Sequence, residues 1–176
     1  MKYTYEIVTD EIPQNPRNEF DNMSTFYSVR NSHYMTGGKD DIEYSYRDYL
    51  DEAIAELRKD GAIIVEFSGN VGDQYAVIER SQLKKEYLDH GYTMRKALYW
   101  ARQCAKGEIA TWLAWCEGEV YGYVIEDENG KHIDSCYGYF GEDGRKCAED
   151  EAKSLIEWHI ENDKKQDHLI NVSCAL

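Results

Sequence analysis

Apolar and polar residues alternate over residues 2–9, with Tyr3, Tyr5 and Ile7 on one side, which predicts a strand with one buried face. Pro13 and Pro16, the chain's two prolines, fix φ and remove donors within residues 11–22, so a shaped loop is expected there. A second strand is expected over residues 23–30, and Gly37-Gly38 closes that unit. Leu50, Ile54 and Leu57 then fall at helical spacing within residues 46–59, with Ser45 as the expected N-cap and Asp60-Gly61 as the stop. The apolar runs 62–68 and 74–79 predict an antiparallel hairpin around a five-residue loop.

Ser81 and Thr93 are the expected N-caps of a short helix and of a longer one reaching toward Cys116. Leu98, Ala101, Ala105, Trp112 and Leu113 form the apolar side of the longer helix, and Gly107 is its candidate break. Between residues 120–127 and 131–137 stands Asn129-Gly130, the strongest short hairpin signal, because both residues tolerate positive φ. A final helix over residues 142–162 places Cys147, Leu155, Ile156 and Trp158 among its apolar positions, and the tail from His168 offers a further strand. Elements in this order predict a single α+β domain over residues 1–176, a mostly antiparallel sheet packed with three to four helices.

Composition narrows the function classes. A chain that is 42% hydrophobic and 13% aromatic buries enough apolar surface to fold despite a net charge of -14. That charge makes the average surface repel phosphate and anionic lipid, so neither direct nucleic-acid contact nor a membrane is expected. No run of about 18 apolar residues is present. The N-terminus lacks the basic and apolar regions of a signal peptide, and a cytoplasmic location is expected. Five irregularly spaced cysteines predict reduced thiols rather than a disulfide framework.

The chain contains no phosphate-binding loop, dinucleotide fingerprint, nucleophile elbow or His-Glu-x-x-His motif, so no catalytic residue and no cofactor are assigned. His132, Cys136 and Cys147, with His159 or an acidic residue, are the metal candidates by ligand type. On a regular strand His132 and Cys136 would stand ~13 Å apart, which argues against joint ligation. Cys136 beside Asp134-Ser135 is the one cysteine whose neighbourhood suggests a nucleophile, whereas Cys104, Cys116 and Cys147 read as small core residues on helices. Arg17 and His33 are candidates for holding an anion, and no metal is assigned.

Carboxylates and tyrosines are the dense features. Residues 40–60 hold eight acids and three bases, and residues 117–134 hold six acids and one base. Of the fifteen tyrosines, Tyr121, Tyr123, Tyr137 and Tyr139 fall in one hairpin, each pair at the strand period of two. Rings beside carboxylates suit protein recognition, because Tyr contributes buried area at low entropy cost. The candidate partner-binding set is therefore Asp40, Asp41, Asp51, Glu126, Asp127, Glu128, Glu142 and Asp143 with those four tyrosines.

Asn15-Pro-Arg-Asn-Glu-Phe-Asp-Asn-Met-Ser-Thr25 resembles the Ser-Pro-Arg-Glu-x-Trp-Asp-Asn-x-Gly-Thr signature of uncharacterised proteins carried by bacteriophages, plasmids and other mobile elements. The same family carries a Gly-x-Val-Tyr-Gly-Tyr-Val-Ile-Glu-Asp segment followed by His, Asp-Ser-Cys and aromatic-Gly-aromatic. Here these stand as residues 118–127, His132, Asp134-Ser135-Cys136 and Tyr137-Gly138-Tyr139. Phe20 and Ser24 depart from the pattern, as does Arg30-Asn-Ser-His-Tyr34, which stands where the family has a His-Arg-Arg-Tyr-like segment. The resemblance supplies habitat rather than activity. Small acidic proteins of mobile elements often inhibit host defence, so it implies an anti-CRISPR or anti-restriction protein, a non-enzymatic inhibitor that blocks the basic nucleic-acid-binding surface of a host nuclease. The alternatives are a zinc-binding or thiol-dependent protein using His132, Cys136 and Cys147, and a phage or plasmid accessory factor without a defence target.

Overall fold

The computed structural model describes residues 2–30, 38–69 and 72–173. His33, Gly37 and Cys174 lie outside the described residues, as do residues 70–71; the expected five-residue loop is shorter, since Ser68 pairs with Asp73 and Gly69 with Gly72. The fold is α+β, with seven strands in two mostly antiparallel sheets and five α-helices among the described residues. It falls into two compact units, one made of Met1–Pro13 with Ala114–Leu176 and the other of Gln14–Leu113. Among the described residues no helix is long and apolar enough to cross a membrane.

The first unit is a three-stranded antiparallel sheet in the order β1 (Tyr3–Thr9), β6 (Val120–Asp127), β7 (His132–Phe140), covered by the long helix α5 (Gly141–Ser173). As the alternation predicts, Tyr3, Tyr5 and Ile7 all pack on the α5 side, against Tyr123, Ile125, Ala148 and Ala152. The small residues Ala148 and Ala152 let the helix approach the sheet, while Leu155 and Ile156 extend the contact. Cys147 and Trp158, expected among the apolar positions, face outward instead. Nor does the tail from His168 form a strand, because α5 runs on to Ser173.

The second unit has a four-stranded sheet in the order β3 (Ile42–Tyr44), β2 (Thr25–Val29), β5 (Gly72–Ile78), β4 (Ile63–Gly69), in which β2 and β3 are parallel. One face, through Tyr27, Tyr75 and Val77, packs on Leu50 and Ile54 of α2 (Arg47–Lys59). The other presents Phe26 and Phe67, whose rings meet Trp112 of α4 (Met94–Cys116) at 5.9 and 6.0 Å. Two helices on opposite faces explain why β5 reads Tyr75-Ala-Val-Ile78 without polar alternation, each residue being buried. Gly107 does not break α4, since Ala105, Ile109 and Trp112 anchor both sides of it in the core. Ser45 does not cap α2; the cap is Tyr46, whose side chain makes no capping hydrogen bond. The short helix α3 (Arg80–Leu83) starts after Glu79 rather than at Ser81, the Glu79 N–H donating to Gln82 Oε1 at 2.9 Å, and it runs on as a π-helical segment, Lys84–Leu88.

The 11–22 loop carries a one-turn helix, α1 (Pro16–Glu19), with Pro16 in its first turn and Asn15 Oδ1 accepting the Arg17 N–H at 2.9 Å. This places Arg17 inside the unit, its side chain 3% exposed. Its guanidinium forks onto Asp41, itself 1% exposed, with Nη2 at 2.6 Å from Oδ1 and Nε at 3.2 Å from Oδ2. It also donates to Glu108 Oε2 at 3.2 Å and to the Ser24 carbonyl at 2.7 Å, and lies 3.8 Å from the centre of the Phe26 ring. Glu108 in turn accepts the N–H of Met23 at 2.6 Å, the N–H of Ser24 at 3.1 Å and the Ser24 hydroxyl. The motif Pro-Arg…Asn-Met-Ser is thus a clasp: Asn22 Nδ2 holds the carbonyls of Pro16, Arg17 and Phe20. With four of its five guanidinium N–H groups committed inside the unit and its side chain 3% exposed, Arg17 is a structural clasp rather than the anion holder expected.

Candidate functional site

The β6–β7 hairpin turns at Asn129-Gly130, but its register is not that of a regular ladder. Tyr121 pairs with Tyr139 and Gly122 with Tyr137, leaving Gly138 as an extra residue at φ 89. A second slip, between the Ile125–Asp134 and Glu126–His132 pairs, leaves Ile133 extra. Each bulge reverses the facing of the strand beyond it. Ile133, Cys136 and Tyr139, three residues apart, therefore all pack toward α5. Tyr137 and Tyr139, expected on one face, stand on opposite ones.

On the α5 side the tyrosines point their hydroxyls at a row of helix carboxylates. Tyr3 donates to Asp163 at 2.8 Å, Tyr5 to Glu149 at 3.1 Å, and Tyr123 and Tyr139 to the two oxygens of Glu151 at 3.5 and 2.7 Å. Burial, then the Glu151 charge, pushes the Tyr123 hydroxyl up to about 12, and burial with the Glu151 hydrogen bond raises Tyr139 further. Because these raised values favour the neutral ring, their contribution to stability is complete below pH 10 and is lost as the pH rises toward 12. Tyr123, 2% exposed, is thus an internal strut rather than the partner anchor expected, while Tyr139 is half-buried with its hydroxyl held by Glu151. Tyr121 is half-buried, with the Arg145 guanidinium 5.7 Å from its ring centre.

Tyr137 is the exception, 50% exposed on the other face. Its ring lies over Gly122, where a Cβ would come within 2.4 Å of Tyr137 Cδ1 and 2.6 Å of the Cys136 carbonyl. With Val8 to Ile12 it lines a shallow cleft of ≈ 420 Å³, and Ile12 stands beside it 87% exposed. This is the end of the sheet where β1 leaves, β6 enters and α5 begins, tied by Asp10 N–H to the Val120 carbonyl and Gly141 N–H to the Glu119 carbonyl, each 2.8 Å. Glu11, Glu117, Glu119, Glu142 and Asp143 are all exposed at that end. Glu142 and Asp143 sit in the first turn of α5, where the helix dipole favours negative charge. Arg145 and Lys146 approach them only at 3.8 and 3.9 Å, loose exposed pairs that leave the carboxylates open to a partner. We take this acidic rim at the end of the sheet, with Tyr137 and Ile12, as the candidate site. Glu11, Ile12, Glu117 and Glu119 were missed because their grouping depends on the chain returning to the start of β6, which no local pattern reports.

The remaining predicted acids go elsewhere. Glu126 and Glu128 are exposed at the hairpin tip, about 23 Å along β6 from the rim at ~3.3 Å per residue. Asp127 between them is buried and closes the turn, its Oδ1 accepting the N–H of Asn129 at 2.8 Å and of Lys131 at 3.0 Å. Those bonds, Lys131 first, hold its carboxyl below the usual Asp range. A lowered folded value means that the stabilisation is present above pH 4 and fades as the pH falls through the folded value. Asp127→Asn should accordingly lower the melting temperature at pH 7 and flatten the acid side of the stability profile, measured by thermal melts from pH 7 to pH 2. In the second unit Asp40 is exposed, Asp51 is held by Arg47 at 2.9 Å, and the Asp41 carboxylate is sealed in the Arg17 clasp, which takes its charge out of reach of a partner.

Among the described residues no three His, Cys, Asp or Glu side chains converge as a metal-binding group. His132 is exposed opposite Glu126, Cys136 is packed toward α5 and Cys147 is exposed, so the zinc alternative finds no assembled ligand set there. Burial pushes the Cys116 thiol up to about 11, which keeps it in its less nucleophilic form. No protein-family model, curated protein or solved structure matches the chain.

Proposed function

We propose that the chain is a non-catalytic inhibitor that lays the acidic rim of its first unit into a basic, nucleic-acid-binding surface of another protein. One observation carries the reading. Of the chain's 34 acids and 20 bases, 18 acids and 7 bases lie in Met1–Pro13 and Ala114–Leu176, and five exposed carboxylates stand at the end of the sheet where the exposed Tyr137 and Ile12 line a shallow cleft. An apolar anchor ringed by charge is the ordinary anatomy of a protein interface, the anchor holding and the charges steering. Tyr137 and Ile12 are the anchors, and Glu11, Glu117, Glu119, Glu142 and Asp143 the charges. Glu126 and Glu128 at the tip add long-range attraction.

Carboxylates compete for the same Arg and Lys side chains that hold phosphate, so occupancy by one excludes the other. The resemblance to mobile-element proteins supports a host defence nuclease, a CRISPR effector or a restriction enzyme, as the partner class. The test is order of addition to a panel of purified guide-loaded CRISPR effectors and restriction enzymes. Added before DNA, the chain should suppress cleavage by its target; added after DNA is bound, it should not. Equal suppression in both orders contradicts competition for the nucleic-acid surface, and no suppression across the panel supports the accessory-factor alternative.

A further inference from the structure

The negative net charge conceals a cationic stretch. From His90 to Gly107 the chain holds Arg95, Lys96, Arg102 and Lys106 and no carboxylate. Nearly all of it lies on α4, whose buried side is Ala97, Ala101 and Ala105, so the four cations are exposed. Two adjacent stripes run along the exposed side. One is Arg95, Tyr99, Arg102 and Lys106, at steps of three or four residues; the other is Tyr92, Lys96 and Trp100, at steps of four. The first, with Met94 and Leu98, lines a depression of ≈ 620 Å³.

The rings are exposed too, Tyr99 at 57% and Trp100 at 44%, meeting edge to face at 5.3 Å. Lys96 Nζ lies 4.6 Å from the centre of the Tyr92 ring. Of the acids nearest in sequence, Glu108 is spent on Arg17 and the Met23 and Ser24 amides, and Glu86 forms only a loose exposed pair with Lys85 Nζ at 3.5 Å. Asp89 is left.

We infer that this face of α4 binds single-stranded nucleic acid, Arg95, Arg102 and Lys106 taking successive phosphates while Tyr99 and Trp100 stack on bases. Cations tracking along a row with exposed rings between them are what sequence-tolerant single-strand sites are made of. An acidic peptide would use the cations but leaves two large exposed rings without a role. Arg95 to Lys106 spans about 16 Å at 1.5 Å per residue, room for about three phosphates. Acids elsewhere on the chain oppose binding weakly, because at physiological salt their field is screened over ~8 Å. The expectation of no direct nucleic-acid contact is an average over the whole surface, and α4 departs from that average. This site does not depend on the acidic rim.

The experiment is fluorescence anisotropy of a labelled twelve-nucleotide oligo-dT titrated with the full chain from 50 to 300 mM NaCl. Three phosphate contacts on a single strand give a slope of about -2 in log K against log salt. Arg102→Glu/Lys106→Glu should weaken binding about tenfold or more, and Tyr99→Ala or Trp100→Ala about fivefold or more. Glu142→Lys/Asp143→Lys should leave it no weaker. All four changed α4 positions are exposed, and far-ultraviolet circular dichroism checks that each variant keeps its helix content. No binding of oligo-dT at 50 mM NaCl, or binding indifferent to Arg102→Glu/Lys106→Glu, overturns the inference. So does competition by polyglutamate equal to that by oligo-dT with no loss in Tyr99→Ala, which would assign the face to an acidic protein instead.

Discussion

Arg17→Leu should cost the second unit about 3–5 kcal/mol, the loss expected when one partner of a buried ion pair is removed and the other stays charged. Here two carboxylates would be stranded. Asp41, its side chain 1% exposed, loses both of its guanidinium bonds, and Glu108 loses the one cation paired with it among the described residues. Their remaining partners, the Phe26 N–H to Asp41 at 3.0 Å and the Met23 and Ser24 N–H groups to Glu108, orient the carboxylates without neutralising them. The Ser24 carbonyl loses its donor as well. Arg17→Lys should recover only part of the loss, since an ammonium cannot fork onto Asp41 while also reaching Glu108 and Ser24. Urea melts followed by tryptophan fluorescence read this directly, with Trp112 in the same unit as the reporter. A loss below about 1 kcal/mol would mean that the clasp is not what holds the 11–30 segment to α4.

Gly122→Val is the second large effect. Its Cβ would meet the Cys136 carbonyl at 2.6 Å, a backbone atom that cannot swing aside, as well as the Tyr137 ring. Either β6 and β7 separate at this pair or the residue abandons its register. Overpacking of this kind costs about 1–3 kcal/mol. Tyr137 must also leave its seat, so binding through the rim should fall with stability. Gly122→Ala meets the same contacts with less bulk and should show a smaller loss of the same sign. A Gly122→Val variant that melts like the wild type would show that the hairpin tolerates a different register.

The elements were largely legible because their signals are local: alternation in β1, helical spacing around Leu50 and Ile54, and Asn129-Gly130 at the hairpin turn. The strand β3 was not, because three residues carry no period and are fixed only by parallel pairing with β2. The two bulges in β7 decided most about the site. A period-two reading places Tyr137 with Tyr139 and His132 with Cys136, and one extra residue within each interval separates them. Asp41 and Asp127 looked like surface charge because their composition is acidic. Their burial depends on Arg17, 24 residues away in sequence, and on a turn whose amides need an acceptor. Conversely, the cationic α4 face was in plain sequence view but was averaged away by the net charge of -14.

The central claim is that the rim of the first unit, rather than its acidity at large, does the binding. It is tested most directly by the dose dependence of nuclease inhibition for the wild type, for Glu119→Lys/Glu142→Lys/Asp143→Lys, and for Glu126→Lys/Glu128→Lys. These five positions are exposed, so folding should survive. Rim reversal should raise the inhibitory concentration about tenfold or more by speeding dissociation, while tip reversal should slow association with a smaller loss. Equal effects of rim and tip, or inhibition untouched by rim reversal, would contradict the account.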